Sequence, residues 1–102
     1  MTRRLPLLIN GEFVASQTDQ WIPVTNPATQ EILCEAPAAT DDEMEQAIAA
    51  GKAAFQTWKE VPVSERARLM LRYQALLKEH HDEIAEILSQ ETGKTFEDAK
   101  GG

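Results

Sequence analysis

Several sets of residues in this sequence could do chemistry, and each makes its own demand on its surroundings. Gly93-Lys94-Thr95, within the stretch ETGKTFEDAKGG, looks like the tail of a phosphate-binding loop. Such a loop aims backbone amides and a lysine at phosphate oxygens, and it needs an earlier glycine where Leu88 stands. The residues before Gly93 follow a helical pattern that spends their amides, so the stretch reads as a helix C-cap followed by a freshly capped helix. Cys34 could be a nucleophile. On a strand it alternates with Ile32 and opposes Glu35, which turns it toward apolar surroundings and predicts an inert core thiol. His80 and His81 suggest a metal, yet adjacent helical residues point about 100° apart, and HHDEIAE lacks the i, i+4 histidines of a zinc helix. They read as solvated or boundary residues. Asp41, Asp42, Glu43 and Glu45 gather where a helix start favours negative charge, without the glycine kink of a calcium loop. Trp21 and Trp58 could stack a cofactor, but Trp58 continues a helical apolar stripe and is expected in the core. The residues by themselves assign no catalytic, cofactor-binding or metal-ligating position.

The elements that would have to position any site fall into two parts, strands over about residues 5–36 and helices over about 40–102. In LPLLI-NG-EFVAS, Asn10-Gly11 accepts the positive φ of a type I′ turn and predicts a hairpin of Leu7–Ile9 with Glu12–Ala15. Trp21–Thr25 and Glu31–Ala36 are two further strands, joined by a turn that Asn26-Pro27 starts. Pro23 cannot donate to a ladder, so its strand belongs at an edge or begins late. Thr40-Asp41-Asp42-Glu43 is a capping box, and Met44, Ala47, Ile48, Gly51, Phe55 and Trp58 recur behind it at helical spacing. Pro62 suits the first position of the next helix. Met70, Tyr73, Leu77, Ile84 and Leu88 line one side of that helix, which would run about 45 Å unbroken from Val63 to Thr92. The cluster Glu79-His80-His81-Asp82 is where it would bend or recap on Asp82. Gly93 fits the closing position, and Thr95-Phe96-Glu97-Asp98 resembles a second capping box. There is no repeat, low-complexity segment or linker.

Bulk properties narrow the classes. The chain has 102 residues, 42% hydrophobic and 26% charged, which is the composition of at most one folded domain. A net charge of −7 repels phosphate backbones and makes nucleic acid a poor partner. The apolar run Leu5 to Ile9 ends at Asn10-Gly11, short of the roughly 7–15 residues of a signal-peptide core. No stretch approaches the about 20 residues of a membrane span. With a single cysteine as well, a cytoplasmic location is expected.

Taken in order, INGEFV, VTNPATQEIL, AAFQTWKEVP and SERARLMLRYQALLKEHHDEIAEILSQETGK resemble the amino-terminal end of the aldehyde dehydrogenase superfamily. The resemblance runs from about Leu8 to Gly101, and its specificity lies in the order and spacing of motifs that are individually weak. It is closest to the CoA-acylating methylmalonate-semialdehyde dehydrogenase branch. Most of the superfamily has glycine after NPAT, whereas this branch usually has the glutamine seen at Gln30. RYQALLKEHHDEIA and ETGKTFEDAKG, with Lys94, Thr95, Asp98, Ala99 and Gly101, point the same way. The match breaks at Gly102, where the branch continues with aspartate, a hydrophobic residue and soon an arginine that binds the substrate carboxylate.

The resemblance implies an α/β fold in which a hairpin, further strands and two or three amphipathic helices form an incomplete piece of a larger domain. It implies a family that oxidises malonate or methylmalonate semialdehyde with NAD, releases CO₂ and forms an acyl-CoA by way of a cysteine thioester. Homo-oligomers, dimers or tetramers, are the family's usual form. The nucleophilic cysteine motif and the dinucleotide-binding units come later in such enzymes, so Cys34 inherits no catalytic role. NAD and CoA belong to the full-length family and are not expected to bind this chain tightly. The chain is therefore expected to be a truncated or split amino-terminal portion, inactive by itself, and either loosely packed, self-associating or docked on a full-length subunit. The alternative is a helical binding or subunit-interaction module. An independent small enzyme would need a nucleophile or metal site that these residues lack.

Overall fold

The computed structural model describes residues 3–101. Met1, Thr2 and Gly102, and with Gly102 the break in the family pattern, lie outside the described residues. The order is β1 (Leu7–Ile9), β2 (Glu12–Val14), β3 (Trp21–Thr25), β4 (Ile32–Pro37), α1 (Asp41–Trp58), α2 (Val63–Glu79), α3 (His81–Thr92) and α4 (Phe96–Gly101). This is a mixed α/β architecture. The chain divides into two compact units: the described residues up to Thr25 with Ile32–Glu60, and Asn26–Glu31 with the described residues from Val61 onward.

In the first unit β1 pairs antiparallel with β2, in the register Leu7↔Val14, Leu8↔Phe13 and Ile9↔Glu12. Asn10 (φ 55°) and Gly11 (φ 76°) supply the two left-handed residues of the predicted I′ turn. β3 pairs antiparallel with β4, with an irregularity between Val24 and Thr25. Residues Arg3 to Leu5 add to β4 as a short parallel stretch, through Leu5 N–H to the Glu35 carbonyl (2.9 Å) and Glu35 N–H to the Arg3 carbonyl (2.8 Å). β3 is thus a sheet edge, as Pro23 requires. β4 ends at Pro37, one residue later than the pattern suggested. Helix α1 packs on β1.

The second unit holds the other helices. The long helix breaks at His80 (φ −103°, ψ 19°) rather than recapping on Asp82. Ile84 N–H still reaches the His80 carbonyl (2.9 Å), so the interruption is confined to one residue and Asp82 falls in the first turn of α3. The result is four helices among the described residues. Pro62 is the N-cap of α2, not its first helical residue: its ψ of 149° is extended, and its carbonyl accepts from Glu65 and Arg66 N–H. Gly93 closes α3 at φ 77°, its N–H donating to the Ser89 carbonyl (2.9 Å). α3 packs on α4.

The Asn26–Glu31 turn is closed by its own polar groups. Ala28 N–H donates to Asn26 Oδ1 (2.9 Å) and Gln30 N–H to the Asn26 carbonyl (2.8 Å). Gln30 adopts φ 65°, a conformation that favours glycine, and its side-chain Nε2 donates to the Pro27 carbonyl (3.1 Å). The glutamine brings a bond that glycine could not, which offsets part of the left-handed strain.

The apolar core is small. Among the described residues the buried hydrophobic side chains are Ala85 and Ala99, and no large side chain is fully buried. Two expectations change accordingly. Trp58 is 42% exposed, and Met44, Ile48 and Phe55 of the same stripe are more exposed still. Cys34 is only half-buried, and its strand neighbour Ile32 is exposed. Helical and strand periodicity places these side chains on one face without supplying anything to cover it.

Two substitutions test the local devices. Gly93→Ala is expected to destabilise the chain by about 1–2 kcal/mol, because a left-handed non-glycine residue costs that much and its Cβ would stand 3.1 Å from Pro27 Cγ. Thr40→Ala should cost about 1 kcal/mol through the lost cap of α1, and Thr40→Ser much less. Denaturant titration followed by circular dichroism reads both, and unchanged midpoints would count against these roles.

Candidate functional site

The one buried charged residue among the described ones is Glu43, 8% exposed, in the first turn of α1. Its position follows from the capping box. Glu43 N–H donates to Thr40 Oγ1 (3.2 Å), and Thr40 N–H returns a bond to Glu43 Oε1 (2.9 Å). That pair fixes the carboxylate beside the segment after β2, where Ser16 Oγ donates to Oε1 (2.7 Å) and Gln17 N–H to Oε2 (2.7 Å). An open cavity of 390 Å³ lies against it, with Val14, Gln17, Thr40 and Gln46 among its lining residues.

The Thr40 amide, then the Gln17 amide, then the Ser16 hydroxyl hold the Glu43 carboxyl below its ordinary range, while burial opposes them. A carboxylate so held is ionised at neutral pH and is a weak base, since both oxygens already accept hydrogen bonds. It ties α1 to the loop ahead of β3 and is poorly suited to proton transfer. The sequence disclosed the capping half of this arrangement. Ser16 and Gln17, 27 and 26 residues away in sequence, carried no signal.

The phosphate-loop look-alike and the two histidines are likewise engaged with their own chain, while Asp41, Asp42 and Glu45 are exposed. At the phosphate-loop look-alike, the Gly93 amide closes α3, the Lys94 carbonyl accepts from Ser89 Oγ (2.6 Å), and Thr95 Oγ1 accepts from Asp98 N–H (3.2 Å) to start α4. The geometry is that of a helix–turn–helix corner, not an amide cradle. His80 Nδ1–H donates to Glu83 Oε2 (2.9 Å) and His81 Nε2–H to the Lys100 carbonyl (2.8 Å). The two rings thus serve separate partners. Among the described residues no group of three or more His, Cys, Asp or Glu side chains is placed to hold a metal ion.

Trp21 presents its face to a cation from the same chain. The Arg4 guanidinium lies 4.5 Å from the ring centroid, and Arg4 Nε pairs with Glu35 Oε1 at 3.2 Å. Sequence reasoning missed this trio, because the stretch Arg3 to Leu5 gives no strand signal of its own. No described helix is long and apolar enough to cross a membrane.

Acid titration tests the Glu43 arrangement. Its folded pKa is lowered, so its stabilising contribution is complete above the ordinary carboxylate range and is lost as pH falls through the folded value. Helicity followed against pH should show an acid loss that Glu43→Gln removes. Identical acid profiles for the two chains would reject the assignment.

The sequence model of the aldehyde dehydrogenase family matches residues 13–102. The chain is 47% identical over 95 residues to the acylating mitochondrial methylmalonate-semialdehyde/malonate-semialdehyde dehydrogenase of Homo sapiens, covering 93% of this chain and 18% of the human one. A Sinorhizobium meliloti protein solved with NAD, and assigned to methylmalonate-semialdehyde dehydrogenase, superposes with a TM-score of 0.93 at 36% identity, over 99% of this chain and 21% of that one. Lactaldehyde dehydrogenase of Escherichia coli superposes with a TM-score of 0.94 at 31% identity, with the same coverages. The chain therefore spans only 18 to 21% of the length of these proteins.

Proposed function

The chain belongs to the aldehyde dehydrogenase family, and we propose that it supplies the amino-terminal scaffold of an NAD-dependent, CoA-acylating dehydrogenase of methylmalonate or malonate semialdehyde. The observation that carries the substrate class is the 47% identity to the human acylating enzyme over 93% of the chain. Backbone likeness does not choose a substrate, since the lactaldehyde enzyme superposes as well as the Sinorhizobium protein does. Gln30 adds to the case, as the residue expected of the acylating branch, and its side chain bonds within the turn.

The segment acts by positioning. NAD accepts the hydride and CoA the acyl group in such an enzyme, and this reading assigns neither group to the residues present here. The Gly93 amide is spent on the Ser89 carbonyl, Lys94 sits in a helix corner, and Trp21 is stacked by Arg4. The nucleophilic thiol belongs to another part of the enzyme, and Cys34 sits among strand residues as a structural side chain. What the segment contributes is a capped helix tied to a hairpin and an apolar helical face. A homo-oligomeric enzyme acting in the cytoplasm completes the proposal.

A second reading, a helical subunit-interaction module, is favoured by one feature. Ala67, Met70, Leu71, Tyr73, Gln74 and Leu77 of α2 line an open apolar groove of 540 Å³. Co-purification of the 102-residue chain with an intact dehydrogenase subunit would select this reading over the first.

The purified chain, given malonate semialdehyde, NAD and CoA, should form no NADH; measurable turnover would overturn the scaffold assignment. Substituted for the matching segment of the human acylating enzyme, the chain should preserve acyl-CoA formation. A folded chimera that oxidises other aldehydes but no semialdehyde would instead sink the substrate class.

The exposed faces of α1 and α2 generate a further expectation. In isolation the chain should be helical yet melt over a broad range, and scatter light as more than a monomer at rising concentration. A sharp cooperative transition of a strict monomer would contradict it.

A further inference from the structure

We draw no further inference here: the strongest candidate, the exposed apolar stripe of α2 formed by Met70, Leu71, Tyr73 and Leu77, carries nothing beyond the scaffold and docking readings above because nothing in the structure shows what covers it.

Discussion

Each large apolar side chain left in water instead of a core forfeits roughly 1.5–3 kcal/mol, and this chain leaves many of them there. Met70, Leu71, Tyr73 and Leu77 of α2 stand exposed, as do Met44, Ile48 and Phe55 of α1 and Leu8 and Phe13 of the hairpin. Against a net stability of about 5–15 kcal/mol for an ordinary domain, a handful of such losses is decisive. The side chains that are covered, Ala85 and Ala99, are too small to compensate. Burial in this segment is thus a debt that the helices cannot settle among themselves. Amphipathic patterning here leaves on α1 and on α2 an apolar face that the helix's own compact unit does not cover.

With so little apolar burial, polar devices carry the local order. Thr40 and Glu43 satisfy each other's backbone amides at the start of α1, and Glu43 also holds Ser16 and Gln17. Asn26 and Gln30 close their turn with side-chain bonds, and Gly93 accepts a left-handed conformation where α3 must end. Such bonds are individually modest, on the order of 0.5–1.5 kcal/mol. They specify where each element begins and ends far better than they stabilise the whole. A segment can therefore keep the family's backbone, to a TM-score of 0.93, with no large side chain fully buried among the described residues.

This division explains what was legible in the sequence. The features that appeared where expected are local and stereochemical. Asn10-Gly11 turns the hairpin, Thr40 with Glu43 caps α1, and Gly93 ends α3, because each depends on residues a few positions apart. The helix break was expected in the right cluster but settled on His80, since Ile84 and His80 could still complete a helical hydrogen bond. Pro62 moved to the N-cap because its extended ψ suits that place as well as its φ suits the next. The features that were missed or misread are non-local. Periodicity told which face Trp58 and Cys34 occupy but not whether that face is covered. Ser16, Gln17 and the Arg4–Trp21–Glu35 cluster depend on contacts between distant parts of the chain.

The same reasoning bears on chemistry. A reactive group must be held with its acceptor or donor orbitals facing a substrate, and the polar groups that attracted notice here face their own chain instead. The imidazoles of His80 and His81 are turned to Glu83 and to the Lys100 carbonyl, and the Glu43 oxygens are filled by three donors. Freeing the Glu43 carboxylate would remove its half of the capping box that starts α1. Local order and reactivity therefore compete for the same side chains at Glu43, His80 and His81, and there the arrangement favours order. Those internal bonds are what the scaffold reading rests on. They also explain how a close backbone likeness to dehydrogenases of different aldehydes can coexist with no commitment to any substrate.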